Sequence, residues 1–218
     1  GDDIWPNRKH TTLEVMRAQN PDLICCQEVL GDQFSFLSSG LPEFDSFGTA
    51  DGPHSLDVVN TIFYRRAAFR RVSAGGHWLS ETPHIAGSKS WDSDCIRLCN
   101  WLRLVDLQSG AEFRVVNTHL DHISQLAREN QGRLINEDAA AYAAAYPQIL
   151  TGDMNCNAAT RSSPRSQPPA GVTRTRRSTA TPIRAILSTA SRGRRSPTTS
   201  ARSIGSTRGA LCARWPLR

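Results

Sequence analysis

The sequence predicts an α+β or layered α/β domain, and three observations carry that expectation. A short unbroken apolar run, Leu23-Ile24-Cys25-Cys26, is bounded by Pro21 and by polar Gln27-Glu28 and reads as a strand buried on both faces. Two β-rich segments, Ile96 to Leu107 and Phe113 to Leu120, flank Gln108-Ser109-Gly110, whose Ser-Gly dipeptide supplies turn chemistry and predicts a hairpin. Helical patterns lie before the first strand and after the hairpin, so helices and strands are mixed along the chain.

Taken in order, Asn7 is expected to cap a helix through Arg8 to Gln19, with Leu13 and Met16 on one face and Asn20-Pro21 stopping it. The buried strand Leu23 to Cys26 follows and delivers Gln27 and Glu28 at its end. Asp32 to Ser39 reads as a short helix, and Leu56 to Tyr64 as a weakly alternating strand before the basic pair Arg65-Arg66. After the hairpin, His122 to about Tyr146 turns helical, with Ile123, Leu126, Asn130 and Leu134 on one face and Pro147 as the stop. Ile149-Leu150 then makes a last short strand into Gly152-Asp153.

A length of 218 residues suits one core and is too short for two large ones. The summed charge of +6 suggests a mildly basic protein, but its location overturns that reading. Residues 1–160 hold all 20 Asp+Glu and 13 Lys+Arg, a net −7, whereas residues 161–218 hold 13 Arg and no Lys, Asp or Glu, a net +13. No apolar run reaches the roughly 18 residues of a membrane span. No signal peptide is visible; Gly1 heads the chain and a helical pattern begins almost at once, so a preceding segment is expected and the compartment stays open, cytoplasmic by default. Cys25, Cys26, Cys95, Cys99, Cys156 and Cys212 form no CxxC pair, which predicts reduced, mostly buried thiols rather than a zinc knuckle or a thioredoxin-type motif.

Acidic and amide side chains where a hydrophobic strand runs out are costly to keep beside a core, so a cluster of them suggests a shared task such as holding a divalent cation. Three segments qualify: Pro21-Asp22-Leu23-Ile24-Cys25-Cys26-Gln27-Glu28-Val29, Val116-Asn117-Thr118-His119-Leu120-Asp121-His122 and Ile149-Leu150-Thr151-Gly152-Asp153-Met154-Asn155. Taken singly, each has a plainer reading. Gln27-Glu28 would be a solvated strand edge, Asp153 and Asn155 an Asx turn, and His119, Asp121 and His122 a surface loop whose spacing fits no usual zinc site. Trp91 and Trp101 read as core or rim packing.

Together and in this order, QE after a buried strand, NTHLDH after a hairpin and GDMN after a second strand resemble the endonuclease/exonuclease/phosphatase superfamily, the fold of deoxyribonuclease I. The resemblance spans roughly residues 3–157; with Ser90-Trp91-Asp92-Ser93 and Cys95-Ile96-Arg97 upstream, it is similar to bacterial members distantly related to Ccr4-like deadenylases. It implies a four-layer α/β sandwich that hydrolyses phosphate esters with Mg²⁺ or Mn²⁺. Carried over residue by residue, Glu28 is the metal's carboxylate ligand and Asp153 orients and deprotonates the attacking water. Asn155 donates its amide to the phosphate or holds Asp153, and His119 bonds a non-bridging phosphate oxygen. Arg97 and Asn117 are expected on the substrate side. The substrate class, phosphodiester or phosphomonoester, nucleic acid or nucleotide, stays open, and no feature calls for a protein partner.

Residues 158–218 are rich in Arg, Ser, Thr, Pro and Ala and are expected to be a disordered tail outside a domain of residues 1–157. After GDMN the family pattern continues with W-x-D-T-Y, F-N-G-F, I-D-W-I and S-D-H, none of which is present as protein. One shifted reading frame permits the first three, at Ala170 to Thr175, Leu187 to Ser191 and Arg202 to Ser206, so a frame shift between about Cys156 and Ala170 is expected. The resulting domain would be incomplete at both ends. The alternatives are a catalytically dead fragment and a nucleic-acid-binding protein acting through the arginine tail.

Overall fold

Two mixed sheets and three helices stack as helix pair, sheet, sheet and helix in the computed structural model, which describes residues 4–156 and the strand at 210–214. In chain order the elements are α1 (Trp5–Ala18), β1 (Leu23–Gln27), α2 (Gly31–Gly40), β2 (Phe44–Phe47), β3 (Ile62–Arg65), β4 (Phe69–Trp78), β5 (Leu98–Asp106), β6 (Glu112–His119), α3 (Gln125–Ala140), β7 (Gln148–Asp153) and β8 (Ala210–Arg214). One sheet has the order β2-β3-β1-β8 and the other β4-β5-β6-β7. This is the four-layer α/β sandwich that the resemblance implies.

The strand period of two sorts the core into three layers. Leu23 and Cys25 of β1 point between the sheets with Ile62, Tyr64, Leu102, Leu104, Phe113 and Val115. Ile24 and Cys26, on the other face of the same strand, pack with Leu13, Met16, Leu37 and Leu41 under α1 and α2. β1 is therefore buried on both faces along its whole length, as its unbroken apolar run requires. On the far side, Cys99 and Val116 meet Ile135 of α3. Each fully buried Leu, Ile or Phe in these layers contributes roughly 1.5–3 kcal/mol relative to an exposed one.

Several elements depart from the sequence expectation. Helix α1 starts at Trp5, before Asn7, because Pro6 fits the first turn, where its missing N–H is not needed. The strand expected from Leu56 begins only at Ile62. β4 is not marked in the sequence; its ten residues include Gly75 and Gly76, and the indole of Trp101 on β5 occupies the space that a side chain at Gly75 would fill. Helix α3 ends at Ala140 and is capped by Ser124, whose hydroxyl accepts from Ala127 N–H at 3.1 Å. It buries Ala127, Arg128, Gln131 and Ile135, whereas Ile123 and Leu126 are exposed. Polar Arg128 and Gln131 turn inward because they bond the chain at Asp121, and that rotates the apolar stripe read from the sequence out of register.

A buried cation fastens α3 to its sheet. Arg114 of β6 has no exposed surface; its guanidinium pairs with Asp138, bonds Gln148, and lies between the rings of Trp101 and Tyr142, 5.2 and 4.7 Å from their centroids. Cys25, Cys26, Cys95, Cys99 and Cys156 are free thiols, three of them buried. Within the tail expected to be disordered, Ala210–Arg214 forms β8, parallel to β1 with Leu23 opposite Ala210. That short stretch, Ala-Leu-Cys-Ala-Arg, has the apolar character that a sheet position accepts. The rest of the tail, including the segments assigned to a shifted frame, lies outside the described residues.

Gly152 of β7 adopts φ +146°, and a Cβ there would collide with the Thr118 carbonyl on the neighbouring strand. Gly152→Ala is expected to lower the unfolding free energy by about 3 kcal/mol, read from urea denaturation.

Candidate active site

The ends of β1, β6 and β7 converge on one edge of the sandwich. β6 and β7 are parallel, with His119 opposite Asp153, so the last residues of both strands sit side by side. From the other sheet, Glu28 follows the last residue of β1 in a left-handed conformation, φ +59°. Its Oε1 lies 3.7 Å from His119 Nδ1, and Asp153 Oδ2 lies 4.0 Å from His119 Nε2. The imidazole therefore stands between two carboxylates, almost wholly buried, with Glu28 the more open of the two acids.

Hydrogen-bond chemistry assigns the tautomer of His119. Asn155 Nδ2 donates to the Leu120 carbonyl at 2.8 Å and lies 2.9 Å from His119 Nε2. An amide N–H can only donate, so Nε2 accepts and Nδ1 carries the proton toward Glu28. Asn155 N–H also bonds Asp153 Oδ1 at 2.9 Å, closing the Asx turn of the plainer sequence reading. Thus Asn155 both orients the imidazole and braces Asp153. Glu28, His119, Asp153 and Asn155, singled out in three separate segments, form one cluster. Glu28 and Asp153 offer the hard carboxylate oxygens that Mg²⁺ or Mn²⁺ takes, with water and phosphate supplying the remaining ligands, so the donor set fits such an ion.

Arg97 approaches from the loop before β5. Its side chain is only 10% exposed, Nη2 bonds His122 Nδ1 at 3.2 Å, and Nε lies 4.0 Å from Asp121. Nε has no hydrogen-bond partner among the described residues. Burial lowers the guanidinium pKa, while Cys95, Asp121, Glu28 and Asp153 pull it back up, so its charge is felt by both acids of the cluster.

Asn117 is different and corrects the expectation that it faces substrate. It is completely buried, and its amide is saturated by the protein. Oδ1 accepts from Gln27 Nε2 at 2.7 Å and Thr151 Oγ1 at 3.1 Å, while Nδ2 donates to the carbonyls of Cys26 (2.8 Å) and Thr61 (3.3 Å). With two acceptor and two donor positions all in use, nothing is left for a ligand. Gln27, Asn117 and Thr151 instead bridge the two sheets one or two residues before Glu28, His119 and Asp153. The only sign of this in the sequence is the recurrence of a polar residue just ahead of each functional one.

A second group that the motifs left unassigned is Asp121. Its carboxylate, with no exposed surface, accepts from the Ile123 and Ser124 N–H groups at 2.9 and 2.6 Å through Oδ1, and from Ser93 Oγ, Asp94 N–H and Cys95 N–H at 3.0, 2.8 and 3.4 Å through Oδ2. Burial by itself raises this carboxyl's pKa. The N–H groups of Ser124 and Ile123, the Ser93 hydroxyl and the Cys95 N–H outweigh burial and hold it at about 2. Nearby, Asp94, Cys95 and His122 bring ligand-type atoms within 4.8 Å of one another. Arg97 can only donate to His122 Nδ1, which leaves Nε2 protonated and facing Asp94 at 3.5 Å; this is an imidazole–carboxylate pair and not a metal cradle.

A profile of the Endonuclease/Exonuclease/phosphatase family matches residues 3–211. Among solved structures the chain is similar to a mannosyl-6-phosphatase of Bacteroides thetaiotaomicron, at 31% identity and a TM-score of 0.69 over 73% of this chain and 61% of that one. It is similar to an endonuclease/exonuclease/phosphatase of Bacteroides vulgatus at the same identity and TM-score, over 72% and 61%. The human Nocturnin catalytic domain shares the fold, with 23% identity and a TM-score of 0.60 over 74% and 61%. Nocturnin of Drosophila melanogaster is 29% identical over 69% of this chain; the chain spans 24% of that protein's length and about 61% of the solved structures.

Asp121 makes acid stability testable. Its native pKa of about 2 lies below the unfolded value, so the stabilisation is complete above that unfolded value and is lost as pH falls through the native one. Unfolding free energies of the native chain and of Asp121→Asn are expected to converge by about 2 kcal/mol between roughly pH 5 and pH 2, measured by chemical denaturation.

Proposed function

The chain belongs to the Endonuclease/Exonuclease/phosphatase family, and from that premise we propose that it is a divalent-metal-dependent phosphoesterase acting through Glu28, His119, Asp153, Asn155 and Arg97. The observation that carries this reading is the imidazole of His119 held between the carboxylates of Glu28 and Asp153 where strands of both sheets end. Glu28, the more exposed acid, holds the Mg²⁺ or Mn²⁺, which when bound offsets charge on the phosphoryl oxygens. Asp153 accepts a proton from the water that attacks in line with the leaving oxygen. Asn155 keeps His119 in the tautomer whose Nδ1 proton faces Glu28. Arg97 brings a planar guanidinium whose positive charge offsets charge that grows on a phosphate oxygen.

Within this chemistry, small phosphorylated molecules are the substrate class we favour over long nucleic acid. Residues 1–160, which carry the site, have a net charge of −7 that disfavours a polyanion there, even though residues 161–218 carry +13. A relative at 31% identity is a mannosyl-6-phosphatase.

Hydrolysis of p-nitrophenyl phosphate, bis-p-nitrophenyl phosphate, mannose 6-phosphate and an oligonucleotide, each with Mg²⁺ or Mn²⁺, tests the proposal. Turnover of a monoester that EDTA abolishes is expected, with Asp153→Asn and Glu28→Gln each lowering kcat by about 100-fold or more. Metal-independent turnover, or full activity in both variants, would overturn it. Preference for the oligonucleotide would reverse the substrate assignment alone.

A further inference from the structure

The loop at residues 90–97 is held in a conformation that its own residues disfavour. Trp91 and Asp92 are consecutive left-handed residues, φ +59° and +55°, and a bulky side chain there costs on the order of 1 kcal/mol or more. Such a loop persists only if something else over-determines it. That something is Asp121, whose Oδ2 takes the Ser93 hydroxyl and the Asp94 and Cys95 N–H groups, three donors from three consecutive residues.

The same carboxylate is fixed in turn by α3. Oδ1 takes the Ile123 and Ser124 N–H groups beside the helix N-terminus, where partial positive charge favours an anion. Gln131 closes the triangle: its Oε1 accepts from Asp121 N–H at 2.9 Å and its Nε2 donates to Ser93 Oγ at 3.3 Å. Arg128 Nη1 donates to the Asp121 carbonyl at 2.9 Å, and Ser124 Oγ donates to the Trp91 carbonyl at 2.9 Å. The loop, the segment after β6 and the start of α3 are thus one hydrogen-bonded unit with Asp121 at its centre. Arg97 leaves this loop at its far end with Nε 4.0 Å from Asp121 Oδ2 and Nη2 on His122, the residue after Asp121.

We propose that Asp121 is a positioning residue whose buried carboxylate clamps the 91–97 loop to the start of α3 and so sets the Arg97 guanidinium against the phosphate of the substrate. It does not touch substrate; it acts through Arg97. This deepens the phosphoesterase reading and rests on it for the identity of the ligand. A neutral amide at 121 keeps the size of the side chain but presents N–H groups to donors that need an acceptor, so the loop is released and Arg97 loses its anionic neighbour.

The test is a double-mutant cycle between Asp121→Asn and Arg97→Ala on the full chain with Mg²⁺, reading the Kd of inorganic phosphate by calorimetry and kcat/KM for p-nitrophenyl phosphate, with Tm as the folding control. Asp121→Asn is expected to weaken phosphate binding roughly tenfold in the native background and less than about twofold once Arg97 is gone. Ser93→Ala, which removes one of the donors on Asp121 together with the hydroxyl's bonds to the Cys95 carbonyl and Gln131, is the fallback if the charge variant does not fold, with a smaller loss of about threefold that is likewise absent in the Arg97→Ala background. A merely structural role predicts that the losses multiply; multiplication in either cycle overturns the proposal. Coupled phosphate binding without ester hydrolysis would support the clamp while removing the phosphoesterase reading.

Discussion

Everything at the functional edge depends on a buried polar bridge between the sheets. Asn117 on β6 links β1, Thr61 and β7 at once, through Gln27, the Cys26 and Thr61 carbonyls and Thr151. Two twisted sheets packed through aliphatic side chains alone can slide by an ångström with little penalty, because dispersion contacts are weakly directional. Hydrogen bonds buried in a low-dielectric interior cannot, since each one lost leaves an unsatisfied group costing about 1–3 kcal/mol. The bridge therefore fixes the register of three strand ends from two sheets, and the residues one or two positions further along, Glu28, His119 and Asp153, come to their separations as a consequence.

Around that bridge the fold concentrates strain and buried charge. Four of the five non-glycine residues with positive φ among those described, Glu28, Trp91, Asp92 and Asn155, lie at the site or on the loop that flanks it. Glu28 needs its left-handed turn to leave the end of β1 and face His119. Asn155 needs its own to reach back to both Asp153 and His119. Two carboxylates beside one imidazole, with a third carboxylate buried under Arg97, would repel one another in a bare interior. Donors from the chain offset this: backbone N–H groups on Asp121, and Asn155 on Asp153 and His119. Fully buried Arg114, between Trp101 and Tyr142, anchors the C-terminal end of α3 through Asp138.

The parts of the fold that were legible are those where burial and residue chemistry agree. Leu23 to Cys26 could only be a strand covered on both faces, and the Ser-Gly turn at residues 109–110 joins a true hairpin. β4 was not legible because it is an edge strand shaped by its neighbour. Its glycines make room for Trp101, and no periodicity records that requirement. The face of α3 was misread for the opposite reason: apolar Ile123 and Leu126 lie outside while polar Gln131 and Arg128 lie inside, because the hydrogen bonds needed at Asp121 outweigh the aliphatic pattern. β8 falls in a segment whose composition gives no strand signal beyond four residues.

At the site, the sequence by itself determined the inventory: two acids, an imidazole, two amides and a guanidinium, each at or near the end of a strand or loop whose apolar approach could be recognised locally. Which amide serves the ligand and which the scaffold was decided only by tertiary structure. Asn117, within β6, is sealed between the sheets, whereas Asn155, just past the end of β7, stands at the open edge. The same holds for Asp121 and Asp153, one consumed by five donors and the other set beside His119. A residue's type sets what bonds it can make. Only the packing of strands far apart in the chain sets which partners arrive first, and a buried polar group whose bonds are complete has nothing left to offer a substrate.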